Sequence, residues 1–221
     1  ATFQDRTLIS RWFVEEILNF AHQRATEIQE RAARADARSL VGDSLGLRAT
    51  YQRSPEPVTI LMGEVVEERN PFSGEIILRR TDTQTPTEMH EFGTFQPTEW
   101  ERVPAFYLIP PELRDVQERV LAHGIRHEIL EGSMEARVEE FVVDSVTTSP
   151  REYEGHQGQE VWGAYGRVTR TLEPGTMRVP MDQPLAPVAF ALLEPRSDDG
   201  FVAWGFLARV LEGGSVYPIL R

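Results

Sequence analysis

The spacing of apolar residues changes from a helical to a strand period near residue 42, and this change most constrains the fold. From Asp5 to about Leu40, apolar residues recur at steps of three and four, with Arg and Glu filling the other face. They are Ile9, Trp12, Phe13, Ile17, Phe20, Ala21, Ile28 and Ala32. This spacing predicts one long amphipathic helix, which Gly42 and Gly46 end. The apolar stripe packs either on a preceding domain or on the strands that follow, and the sequence leaves both open.

The next part of the chain has the pattern of a β-hairpin. Residues 48–53 and 57–67 show the alternation and β-branched composition of strands. Residues 71–74, Pro-Phe-Ser-Gly, form a turn that leads into a second hairpin strand at residues 75–80. Residues 81–97 are rich in Thr, Gln, Pro and Glu and have little periodicity. We therefore expect an extended, exposed loop there.

A β-α-β unit is the clearest local prediction. The composition of residues 105–109 predicts a buried strand, and Pro110 and Pro111 mark the start of a helix. His123 and Gly124 close that helix, and residues 125–130 form the second strand. A unit this short is one supersecondary element.

The last third of the chain predicts more β structure and two short helices. Residues 136–145 have the pattern of a strand, and the five glycines among the apolar residues of 150–179 indicate short strands and turns. Helices are expected at residues 183–193 and 201–211, before an extended arm at residues 217–220. The complete pattern predicts an α+β fold, with a long N-terminal helix and a mixed, β-rich body.

The two C-terminal helices are separated by a polar segment with its own predicted roles. Pro195 terminates the first helix, because proline cannot continue the backbone hydrogen bonds. Ser197 or Asp198 is expected to cap the second helix. The negative charges of Asp198 and Asp199 are expected to stabilise the positive, N-terminal end of the helix dipole. Trp204 is expected to be a packing anchor of that helix.

Composition excludes several classes of function. The 221 residues carry 35 acidic and 23 basic side chains, a formal net charge of -12, which disfavours nucleic acid and anionic membranes as partners. There is no cysteine, so disulfides, thiolate metal sites and cysteine nucleophiles are excluded. No apolar run approaches the roughly 20 residues that a membrane span needs.

The histidines do not predict a metal site. A zinc hydrolase of the carboxypeptidase type needs a His-x-x-Glu motif, and none of the five histidines begins one. His123 and His127 have the spacing of a helical metal pair, but Gly124 lies between them at the predicted helix end. His123 is therefore expected to bind the last carbonyls of the helix.

The acidic and aromatic residues likewise have structural explanations. Carboxylates are abundant, yet no calcium-loop pattern is present. Seven aromatic residues lie beside apolar residues on predicted strands and helices, so packing is preferred over a sugar- or peptide-binding face. These are Trp100, Phe106, Tyr107, Trp162, Tyr165, Trp204 and Phe206. We predict no catalytic, cofactor-binding or metal-ligating residue in this chain.

Several segments together resemble one enzyme family. Residues 179–185, Val-Pro-Met-Asp-Gln-Pro-Leu, precede Leu-Leu-Glu-Pro-Arg-Ser-Asp-Asp-Gly at residues 192–200. Residues 3–7 open the first helix, and residues 107–112 and 121–125 flank the second. These segments resemble the C-terminal region of bacterial zinc carboxypeptidase-like metallopeptidases of the carboxypeptidase A type. The resemblance extends over nearly the whole chain and is weakest from residue 40 to 97.

The resemblance implies that a longer protein contains a catalytic domain followed by a non-catalytic one. Residues 1–42 would be the terminal helix of a preceding catalytic domain, and residues 43–221 a β-rich, non-catalytic C-terminal domain that packs on it and shapes the substrate cleft. Zinc, its ligands and the general-base Glu would precede Ala1, and this chain would bind none. The implied substrate is a peptide or protein, and the implied location is secreted or periplasmic. The alternative is an independent carbohydrate- or peptide-binding module.

Overall fold

A computed structural model describes residues 2–221, and its architecture is α+β as predicted. The chain separates into two compact units. Arg48–Trp100 forms one unit, and Ala1–Leu47 together with Glu101–Arg221 forms the other.

Two helices stand where the sequence predicts one. Helix α1 spans Phe3–Gln23 and helix α2 spans Ala25–Asp36, with a break at Arg24, whose backbone leaves helical geometry at φ -114° and ψ 20°. The predicted long N-terminal helix is confirmed by the 21 residues of α1, but its predicted extent to about Leu40 is wrong. Neither glycine nor proline marks the break, so the periodicity continued across it without a signal. No helix within residues 2–221 is long and apolar enough to cross a bilayer.

The unit that begins at residue 48 is built from β-strands. Strand β1 spans Ser44–Gln52 and enters it, β2 spans Val58–Arg69, β3 spans Ile76–Met89, and β4 spans Thr94–Arg102 and leaves it. Strands β2 and β3 form an antiparallel hairpin, and β1 pairs with β4. The turn between β2 and β3 lies at residues 71–74, which confirms the predicted hairpin.

The predicted loop at residues 81–97 is wrong, because most of it belongs to β3 and β4. Threonine favours strands, and cross-strand contacts hold the segment in register. The Thr59 hydroxyl donates a hydrogen bond to the Glu88 carboxylate at 2.6 Å. Pro86 lies opposite Leu61 and is tolerated because both strands of a two-stranded sheet are edges.

The second unit contains the predicted β-α-β arrangement. Strand β5 spans Phe106–Ile109, helix α3 spans Arg114–Ala122, and strand β6 spans Glu128–Ile129. Val116 and Val120 of α3 are buried, as the helical spacing predicts. Gly124 follows the helix with a φ of 71°, a left-handed conformation that glycine adopts without strain.

A long antiparallel hairpin follows. Strand β7 spans Met134–Tyr153, and strand β8 spans His156–Leu172. The short strands and turns predicted for residues 150–179 are mostly one continuous strand, so that prediction is wrong in detail. Gly163 and Gly166 lie within β8, opposite Val143 and Glu140 of β7, and do not form turns. Strand β9, Met177–Pro180, pairs antiparallel with both β5 and β6 and separates them.

Two short helices and an extended arm complete the chain. Helix α4 spans Ala186–Leu193 and helix α5 spans Ala208–Leu211. Residues 215–221 run alongside β7, and Leu220 also bridges to Leu108 of β5. The terminal arm thereby links the hairpin to the three-stranded sheet. The main core lies among these elements and includes Tyr107, Phe141 and Tyr217.

Candidate functional site

Glu194 of the C-terminal motif is buried where α4 ends. Pro195 stops the helix, as predicted, and Glu194 takes an extended backbone at φ -73° and ψ 128°. Only 1% of the residue is exposed. The carboxylate is therefore placed inside the core, where an ionisable group needs hydrogen-bond partners.

Three side chains from distant segments donate to this carboxylate. The Tyr107 hydroxyl lies 2.5 Å from Glu194 Oε1, and the Tyr165 hydroxyl lies 3.1 Å from Oε2. Nη1 of Arg221 lies 3.3 Å from Oε1. Both carboxylate oxygens therefore have donors, which satisfies the buried group.

Arg221 connects Glu194 to two further carboxylates. Its Nη2 atom lies 3.2 Å from Glu101 Oε1, and its Nε atom lies 3.0 Å from Glu139 Oε2. The guanidinium carbon lies 3.3 Å from the centroid of the Tyr165 ring, a cation-π contact. We call Glu194, Arg221, Tyr107, Tyr165 and Glu101 the Glu194 cluster.

The electrostatics of the Glu194 cluster favour a structural role. Burial raises the pKa of Glu194 above its ordinary value, while the hydrogen bond from Tyr107 and the charge of Arg221 oppose this shift. Desolvation therefore outweighs the favourable contacts. Because its oxygens are occupied and enclosed, Glu194 is not placed to act on a substrate. The sequence indicated this residue only as part of the family motif.

The polar residues around Glu194 do not have the predicted capping roles. Helix α5 begins at Ala208 with Leu207 as its N-cap, so neither Ser197 nor Asp198 caps it. The Asp199 carboxylate accepts a hydrogen bond from Nε1 of Trp204 at 2.6 Å. The helix predicted at residues 201–211 is therefore wrong over most of its length: residues 201–207 form turns, and Gly205 takes a left-handed backbone at φ 72°.

The two closely spaced histidines bind different backbone carbonyls. Nδ1 of His123 lies 2.8 Å from the Arg119 carbonyl, which confirms its expected place at the helix end. Nδ1 of His127 lies 3.0 Å from the Ile125 carbonyl. Within residues 2–221, no group of three or more His, Cys, Asp or Glu side chains is arranged to hold a metal ion.

The expectation that the aromatic residues pack in the core holds for some of them only. Tyr107 is 1% exposed, but Trp100 is 57% and Trp162 is 42% exposed. Trp204 is half-buried beside a surface cavity of about 210 Å³. We call this the Trp204 cavity, and its lining residues are Tyr153, His156, Gly158, Asp198, Asp199, Ala203 and Trp204.

The apolar stripe of α1 is exposed to solvent. No residue of α1 is buried. We call five of its side chains the α1 apolar face, and each is at least 50% exposed. They are Ile9, Trp12, Phe13, Ile17 and Phe20. Phe3, Val14 and Leu18 extend the apolar surface around the helix.

The chain is similar to fungal proteins called Carboxypeptidase 2. It is 32% identical to the one from Trichophyton rubrum over 148 residues, which cover 66% of this chain and 27% of the relative. Those from Trichophyton tonsurans and Trichophyton equinum are 33% identical over 118 residues, covering 53% of this chain and 22% of each relative. The chain thus matches about a quarter of the length of these relatives. The similarity supports a carboxypeptidase-like relationship.

Other comparisons add no relative. No family model matches the chain. No solved structure matches it either.

Proposed function

We propose that this chain is the non-catalytic C-terminal part of a zinc-dependent metallocarboxypeptidase-like protein that acts in proteolysis. In this proposal the α1 apolar face packs on the catalytic domain of the same polypeptide, and the β-rich body shapes the substrate cleft. The similarity to proteins called Carboxypeptidase 2 supports the class of activity. A secreted or periplasmic location belongs to the same proposal.

The observation that carries the proposal is the exposure of the α1 apolar face. Trp12 is 57% and Phe13 is 68% exposed, and both lie on the same side of a 21-residue helix. Full burial of a large apolar side chain stabilises by roughly 1.5–3 kcal/mol, so five such side chains carry a large unused driving force. Helices that are apolar around much of their circumference are normally enclosed by protein.

The catalytic domain is the occupant that best fits this surface. The chain matches only about a quarter of each similar protein, so most of a comparable polypeptide lies outside the matched region. A domain of the same polypeptide is held at high effective concentration, so it covers an adjacent helix without a separate binding event. Trp12, Phe13 and Phe20 are of the aromatic type that anchors such interfaces.

The proposal assigns zinc to the catalytic domain. The residues of this chain do not fit a zinc site, since no three suitable side chains converge within the described residues 2–221. The buried carboxylate of Glu194 is not available as a zinc ligand, because two tyrosines and an arginine enclose it. In this proposal the metal ligands and the general base belong to the preceding segment, where a His-x-x-Glu motif is expected.

An independent carbohydrate- or peptide-binding module is the second candidate function. The Trp204 cavity favours it, because aromatic side chains and carboxylates line a surface recess. The two candidates differ in what they require of α1. A self-sufficient module has no need of a covered α1 apolar face.

Substituting Phe13→Glu in a longer protein that contains the catalytic domain tests the proposal. We expect this change to lower the free energy of unfolding by about 2 kcal/mol, because an aromatic side chain is lost from the interface. Peptide hydrolysis should fall with it. In the isolated 221-residue chain the same change should leave the thermal midpoint unaltered, since Phe13 is already 68% exposed.

Arg11→Ala is the matched control on the other side of α1. It removes one exposed ion pair, in which Nε of Arg11 lies 2.7 Å from Glu15 Oε1, and such pairs contribute about 0.3–0.5 kcal/mol. Equal midpoints and equal hydrolysis rates for the two variants of the longer protein would contradict docking through the α1 apolar face.

A further inference from the structure

We propose that the Trp204 cavity binds an organic cation, a guanidinium or alkylammonium group on an aliphatic stem. The site lies where the tip of the β7–β8 hairpin meets the segment after α4. It is separate from both the α1 apolar face and the Glu194 cluster. The inference therefore stands without the proposed docking function.

Three aromatic side chains, Tyr153, His156 and Trp204, line the cavity. The ring centroids of Tyr153 and Trp204 are 6.2 Å apart, with an angle of 52° between the rings. His156 packs edge-on against Trp204 at 5.6 Å and against Phe206 at 5.1 Å. These contacts limit the orientations of the indole. Aromatic faces attract cations, and tryptophan does so most strongly.

Two carboxylates also line the cavity. The Asp199 carboxylate accepts the indole N–H of Trp204 at 2.6 Å, which fixes the ring and occupies its only donor. The Asp198 carboxylate also lines the cavity, and no side chain among residues 2–221 forms a hydrogen bond or ion pair with it. No arginine lines the cavity. The recess therefore carries two negative charges next to aromatic faces.

This combination favours a cation over a sugar or an anion. A sugar carries no charge, so it leaves the carboxylates of the cavity without an opposite charge, and the indole donor that it would use already binds Asp199. An anion would meet two carboxylates without a compensating positive side chain. A guanidinium or ammonium group brings donors and charge to Asp198 while its stem lies along the rings.

The size of the cavity limits how much of a ligand enters it. Sites for complete small molecules measure roughly 300–1,000 Å³, whereas this cavity measures about 210 Å³. It therefore accommodates one side chain or head group. The same chemistry is supplied by a free amine or by an arginine or lysine side chain within a polypeptide.

Calorimetric titration of the 221-residue chain at low salt tests this inference. The probes are N-acetyl-arginine amide, its uncharged analogue N-acetyl-citrulline amide, agmatine as a free amine, and a blocked Gly-Arg-Gly peptide. We expect both arginine probes to bind and the citrulline probe to bind at least about fivefold more weakly, because it lacks the charge. Stronger binding of the peptide than of agmatine would identify a polypeptide source, and the reverse a free amine.

Asp198→Asn is the decisive variant, because it removes the charge without changing the shape of an exposed side chain. We expect it to weaken arginine binding about fivefold. Asp144→Asn removes one exposed charge that does not line the cavity and should have a much smaller effect. The inference is overturned if no arginine probe binds, if citrulline binds as tightly as arginine, or if the two variants bind equally.

Discussion

Replacing Glu194 with Leu is expected to lower the free energy of unfolding by about 3–5 kcal/mol. The substitution leaves the hydroxyls of Tyr107 and Tyr165 without their acceptor and removes a carboxylate from Arg221. Losing one partner of a buried charged network is costly because the remaining groups stay desolvated. Urea unfolding at pH 7, followed by circular dichroism, measures the change.

Glu139→Leu is the matched control for this prediction. Glu139 also binds Arg221, but its side chain is 38% exposed, whereas that of Glu194 is 1% exposed. Solvent screens the exposed contact, so we expect a loss below about 1 kcal/mol. Glu194→Gln, which keeps an acceptor for the tyrosine hydroxyls, should fall between the two. Equal losses of stability for the two leucine variants would contradict the claim that the buried Glu194 cluster stabilises the fold more than an exposed ion pair does.

Above about pH 10, stability is expected to fall by up to about 4 kcal/mol per pH unit. Burial raises the pKa of Tyr107, Tyr165 and Tyr217 well above the ordinary value of 10.0, and the charge of Glu194 adds to each shift. The unfolded chain therefore loses these three protons before the folded chain does. The stabilisation is complete below pH 10 and is lost as the pH rises toward the folded values.

Urea unfolding at pH 9, 10 and 11 measures this slope. Tyr217→Phe should reduce it by about one third, since one of the three buried hydroxyls is removed. The Tyr217 hydroxyl donates to the Leu193 carbonyl at 2.8 Å, so the variant also loses a small, pH-independent contribution. A stability that stays constant from pH 9 to pH 11 would show that these tyrosines are not enclosed.

Elements with strong local signals were predicted correctly. The turn at residues 71–74 and the helix that ends at His123 and Gly124 have side chains that fix the backbone directly. The β-α-β unit follows from the same kind of evidence. The insertion of β9 between its two strands was not predictable, because β9 lies far along the chain and its pairing depends on the assembled sheet.

The errors occurred where tertiary contacts decide the structure. The segment at residues 81–97 has weak periodicity, yet pairing with β2 makes much of it a strand. Asp199 is of a residue type common at helix N-termini, but its carboxylate accepts a hydrogen bond from the indole of Trp204. The break at Arg24 is different, because no helix-breaking residue type lies there and no residue of α1 or α2 is buried.

The candidate sites were less accessible to sequence reasoning than the fold. Partners of Glu194 lie 87, 29 and 27 residues away along the chain, so no local motif joins them. The Trp204 cavity combines a hairpin tip with a distant turn, and aromatic residues on strands look the same whether they are buried or exposed. The α1 apolar face alone was predicted from the sequence, as an apolar stripe whose packing partner was left open.

The solvent accessibility of Trp12 in the longer protein is the most direct test of the docking proposal. Trp12 and Trp100 are both 57% exposed in this chain, so they form a matched pair for hydroxyl-radical labelling read by mass spectrometry. The proposal predicts that labelling of Trp12 relative to Trp100 falls several-fold when the catalytic domain is present. An unchanged ratio between the isolated chain and the longer protein would contradict it.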